Sequence, residues 1–132
     1  MKEITRINHV GLRVSSLEQS REFYAKLGFE FLVGPIGPEP VAIMEHPSGV
    51  NINFILNSTD TEPKNLLMDV PEKHTGFTHM AIEVTELEAV QQQLEDTGCE
   101  ITEGPITTPE GASFIFIRDP DLNVIGFHKP AS

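Results

Sequence analysis

The chain repeats itself, and the repeat restricts its possible folds more than any other feature. Asn8-His9-Val10-Gly11-Leu12-Arg13-Val14 has a twin seventy positions later in Thr78-His79-Met80-Ala81-Ile82-Glu83-Val84. The register holds without a gap to Gly34-Pro35 in one copy and Gly104-Pro105 in the other. Beyond it, His46-Pro47-Ser48-Gly49 answers to Asp119-Pro120-Asp121-Leu122, the offset having grown by three. Two equivalent units with a histidine at equivalent places point to a tandem duplication. They also point to a site assembled from both copies.

Each unit carries the same periodicities. Residues 5–14 alternate, with Val10, Leu12 and Val14 on one face and His9, Gly11 and Arg13 on the other, as a strand requires. Ser15 with Glu18 three residues on has the spacing of a capping box. A helix is expected next, its stripe formed by Leu17, Phe23, Tyr24 and Leu27 and its stop by Gly28. Short strands are expected at 29–33, 41–45 and 51–56, with Gly34-Pro35-Ile36-Gly37-Pro38 as a loop. Asn51, Asn53 and Ile55 share one face of the last strand, and the two asparagines are candidate ligand contacts.

The second unit reads alike. A strand at 77–84 precedes a box of Thr85 and Glu88, then a helix with Leu87, Val90 and Leu94 on its stripe. Strands at 100–102, 113–117 and 124–128 complete it. The expected architecture is therefore α+β: two tandem βαβββ modules, 5–56 and 77–130, joined by a polar linker at 57–76. A sheet with a helix on one face leaves the other bare. The modules are thus expected to form an open, curved mixed sheet around a central cleft, with His9 and His79 facing it. Leu67 in the linker is a candidate lid or dimer contact.

Composition narrows the function. The net charge of −11 repels phosphate backbones and argues against nucleic acid. No apolar run approaches the roughly 20 residues of a membrane helix, and no apolar signal core follows Met1. A cytoplasmic protein without membrane association is expected. The lone Cys99 cannot form an internal disulfide and reads as a small buried hydrophobe. His46 and His74, on turn and linker, read as surface residues.

The His9 and His79 strands resemble the vicinal oxygen chelate superfamily. So do Phe23-Tyr24-Ala25-Lys26-Leu27-Gly28-Phe29 and the ending Asp119-Pro120-Asp121-Leu122-Asn123-Val124-Ile125-Gly126-Phe127. That superfamily includes glyoxalase I, extradiol dioxygenases, fosfomycin resistance proteins, methylmalonyl-CoA epimerase and bleomycin-binding proteins. The resemblance implies a small-molecule substrate or ligand and a homodimer. It also implies a divalent metal (Ni, Zn, Mn or Fe) held by His9 and His79 and by the fourth strand of each module. The fourth-strand positions fall here on Asn53 and Gly126, so the usual carboxylate is missing. His128 lies about 6–7 Å beyond Gly126 on the same face and is a candidate to lean across. Glu83 is expected to face Arg13, its counterpart in the other unit. Two functions follow from the resemblance. One is a glyoxalase-like, metal-dependent lyase or isomerase acting on vicinal oxygens. The other is a metal-free protein of the bleomycin-binding type that holds a small, antibiotic-like, cationic molecule.

Overall fold

The computed structural model describes residues 1–132, which divide into two units, Met1–Glu62 and Pro63–Ser132. The first contains β1 (Val10–Arg13), α1 (Leu17–Lys26), β2 (Glu30–Ile36), β3 (Val41–Glu45) and β4 (Asn51–Ile55). The second contains β5 (His79–Glu83), α2 (Leu87–Asp96), β6 (Ile101–Thr107), β7 (Ser113–Arg118) and β8 (Val124–Lys129). Each is a βαβββ module with one four-stranded mixed sheet, ordered β1-β4-β3-β2 and β5-β8-β7-β6. The first and last strands of each module run parallel and the other pairs antiparallel.

Each core lies between sheet and helix. In the first module Tyr24 of α1 is fully buried and meets Phe54 of β4 at 5.4 Å between ring centres and Phe29 at 5.8 Å. Ala42, Met44 and Ile52 complete that face. In the second module Leu87 and Leu94 of α2 cover Ile115, Ile117, Ile125 and Phe127. Burying a side chain of this size contributes about 1.5–3 kcal/mol, so either cluster outweighs any surface contact of its module. The alternation in the sequence therefore chose the helix side of each sheet. Ser20 is the exception, a fully buried hydroxyl on α1 whose Oγ has no hydrogen-bond partner.

Three expectations are corrected. The first helix is capped by Ser16, not Ser15: Gln19 donates its backbone N–H to Ser16 Oγ at 3.2 Å. The second begins after Glu86, which makes no side-chain cap, so Thr85 does not cap it either. Each helix starts one residue later than the Ser15/Glu18 and Thr85/Glu88 spacing suggested, and the glutamates then lie in the first turn, favourably placed at the positive end of the helix. The first strand is short, Val10–Arg13 rather than 5–14, because the partner it follows, β4, begins only at Asn51.

The Gly-Pro pairs lie inside strands rather than in loops. β2 runs through Gly34-Pro35 and β6 through Gly104-Pro105, both bonds cis. Both are edge strands with register shifts around the pair, where a proline without an N–H is tolerated. The glycines are required by close approach. A Cβ on Gly34 would stand 2.5 Å from Ala42 Cα, and one on Gly104 2.6 Å from the Phe114 carbonyl oxygen.

From Pro63 onward the polar linker belongs to the second unit. Arg118 grips Asp69 with two bonds of 2.9 Å and donates to the Leu122 carbonyl at 2.7 Å. Asn65 donates to the same carbonyl at 3.0 Å while its Oδ1 accepts from the N–H groups of Leu67 and Met68. Leu122 holds a left-handed backbone (φ 67°), steadied by these bonds and by Asp119 beneath the turn. Leu67 lies against Gly76, folded back on its own segment.

Candidate functional site

Strand register sets the face of each module that turns away from its helix. Gly11 pairs with Asn53 and Ala81 with Gly126, so Asn53 and Gly126 are equivalent. Arg13 and Ile55 likewise answer to Glu83 and His128. Ile43 pairs with Asn53 as Phe116 does with Gly126. The same backbone thus presents two different sets of side chains.

The first module's face is polar. His9 stands one residue before β1 and is exposed; its Nδ1 meets Asn8 Oδ1 at 2.9 Å. Because that oxygen only accepts, Nδ1 is the donor of the pair. Asn51 and Asn53 are half-buried on β4. Arg13 is occupied within its own module. Its Nε donates to Asn57 Oδ1 at 2.9 Å, and Glu39 lies 3.8 Å from one of its two terminal nitrogens. Asn57 also donates to Glu39 at 3.3 Å. With both charged groups more than half exposed, the pair contributes under about 1 kcal/mol.

The second module's face is aromatic. His79 opens β5, and its Nδ1 meets Thr78 Oγ1 at 2.9 Å. Its ring stands edge-on to Phe116 at 5.4 Å. Phe116 meets Phe114 at 5.4 Å, and Phe114 lies parallel to His128 at 6.4 Å. Four rings from three strands thus form a continuous row. Its centre rests on Gly126, where an added Cβ would come within 2.8 Å of Phe116 Cε1. The Phe116 ring, not His128, fills the space left by the missing side chain. Sequence reasoning treated Phe114 and Phe116 only as strand residues. The available signal was their alternation on the strand that pairs with Gly126.

A resident divalent metal can be tested against these donors. Metal centres in proteins generally take three or four imidazole, thiolate or carboxylate ligands. In neither module do three His, Cys, Asp or Glu side chains gather as ligands. The fourth-strand positions offer an amide at Asn53 and, at Gly126, a glycine overlaid by a hydrocarbon ring. Within either module, then, the donor set does not fit a resident metal.

Tandem βαβββ modules with a histidine leading the first strand of each define a recognisable class. A family model for the Glyoxalase/Bleomycin resistance protein/Dioxygenase superfamily matches residues 6–127, and the chain belongs to that superfamily. Its relatives include the uncharacterized protein YwkD of Bacillus subtilis (strain 168), 30% identical over 122 residues that span 87% of this chain and 89% of that one. Among solved structures, SMU.1112c is 25% identical with a TM-score of 0.76, covering 96% of this chain and 99% of that one. Virulence protein STM3117 from Salmonella typhimurium is 27% identical with a TM-score of 0.68, covering 96% and 97%. No helix of the chain is long and apolar enough to cross a membrane.

Proposed function

We propose that this chain is a metal-independent, small-molecule-binding member of its superfamily, with its ligand held on the helix-free face of the second module. One observation carries the reading: the Phe116 ring occupies the place over Gly126 where a ligating side chain would stand. A single coupled exchange, ring for ligand, turns a coordinating position into an apolar contact surface. His79 keeps a role there. With Nδ1 engaged by Thr78, its Nε2 remains to hydrogen-bond a bound molecule.

A metal-dependent lyase or isomerase is the second reading, and one feature favours it. Both His9 and His79 have Nδ1 tied by the preceding side chain, the arrangement that orients Nε2 toward a metal. Protein purified without a histidine tag and analysed for metals separates the two. The proposal expects less than stoichiometric Ni, Zn, Mn and Fe, unchanged by His79→Ala, and ligand-induced thermal stabilisation that survives chelator. One equivalent of metal that is lost in His79→Ala would establish the second reading instead.

A further inference from the structure

We infer that the ligand taken by the second module's face is a planar aromatic cation; this deepens the reading just given and rests on it. Two properties of the face lead there. The first is shape. Phe114 and Phe116 are half-buried, in contact with each other, and flanked by His79 and His128. The small residues Ala81 and Gly126 leave nothing standing above them from β5 and β8. Ile106 stands beside Phe114 by register and widens the apolar surface. Adjoining ring faces suit a flat ring system, which gains from stacked and edge-on contacts alike.

The second is charge. By register, Glu83 stands beside His128 and Glu103 beside Phe116, so a carboxylate flanks the aromatic row on either side. Both glutamates are exposed. The one arginine on that face, Arg118, is neutralised by its two bonds to Asp69 and donates a third to the Leu122 carbonyl. Lys129 falls on the opposite face, where it meets Glu86. The face therefore presents two uncompensated negative charges around electron-rich ring surfaces. A cation is drawn both by the carboxylates and by the rings. The net charge of −11 adds to that attraction at low salt.

The test is a fluorescence titration of the full chain at low ionic strength and pH 8, before and after chelator. The probe is 9-aminoacridine; uncharged acridine, acridine-9-carboxylate and cyclohexylammonium are the comparisons. The expected order is the aromatic cation first, uncharged acridine about fivefold weaker, and the anion and the non-aromatic cation weaker still. Phe116→Leu should weaken 9-aminoacridine about fivefold or more, and Glu83→Gln about two- to fivefold, with unchanged melting temperatures showing that both variants fold. Equal binding of acridine and 9-aminoacridine, with Glu83→Gln silent, overturns the cationic class while leaving metal-independent binding intact. Failure of both to bind saturably, or binding insensitive to Phe116→Leu, overturns the inference altogether. Collapse of the underlying reading looks different: binding that disappears with chelator.

Discussion

Replacing Gly126 by alanine should destabilise the second module, and only while Phe116 is present. The added methyl would sit 2.8 Å from Phe116 Cε1 and 3.2 Å from Cδ1, where carbon atoms settle at about 3.5–4.0 Å. The neighbour is a side chain, so the ring can swing, at the expense of its packing against Gly126 and His79. Overpacking of this kind costs about 1–3 kcal/mol. Against it stands the intrinsic gain of alanine over glycine in a strand, about 0.5–1 kcal/mol. The net expectation for Gly126→Ala is a loss of about 1–2 kcal/mol. In a Phe116→Ala background the obstacle is gone, and the same substitution should gain about 0.5–1 kcal/mol. The coupling is then about 1.5–3 kcal/mol, well above the roughly 0.3–0.5 kcal/mol within which independent sites add. Urea unfolding of the four proteins, followed by far-UV circular dichroism, measures it. The lone tyrosine, Tyr24, lies in the first module and there is no tryptophan, so intrinsic fluorescence would report on the wrong half. Equal losses from Gly126→Ala in both backgrounds would refute the idea that the ring has replaced a ligand.

Three further outcomes follow from other contacts. Ser16→Ala should cost about 1 kcal/mol through loss of the cap to Gln19, whereas Thr85→Ala should change thermal stability very little; the reverse order would return the caps to Ser15 and Thr85. Ser20→Ala should stabilise the first module by about 1 kcal/mol or leave it unchanged, because the buried Oγ has no partner to lose, and a higher urea midpoint would show it. The Arg118 guanidinium holds the Asp69 carboxyl below the usual carboxylate range, chiefly through their hydrogen bond. A lowered folded-state pKa gives stability that is present above the unfolded value of about 3.9 and lost as pH falls through the folded one. Melting curves from pH 7 down to pH 3 should therefore fall less steeply for Asp69→Asn than for the parent chain, and parallel curves would show that the contact is energetically silent.

The duplication, the βαβββ order and the helix-facing residues were legible because they follow from periodicity. Alternating Val10, Leu12 and Val14 can satisfy a strand only with one face buried, and Leu87 and Leu94 can share only one side of a helix. The equivalence of Asn53 and Gly126 was also legible, since register follows once the strands are placed. Helix starts were off by one because Ser15 and Ser16 are both competent caps by composition, and backbone direction decides between them. The Gly-Pro pairs read as loops because nothing local says that a strand is an edge strand.

The surroundings of Gly126 were decided by neighbours that pairing brings together. From the chain alone, Gly126 is an absence, a place where a carboxylate is missing. In three dimensions Phe116, ten positions earlier, lies over that place and ties His79 into a row of rings. Asn57 beside Arg13 and Asp69 beside Arg118 are partners that only folding brings near. Local alternation and spacing dictate which way a side chain points from its strand. What fills the space above it depends on strands joined by pairing, and that only the tertiary structure decides.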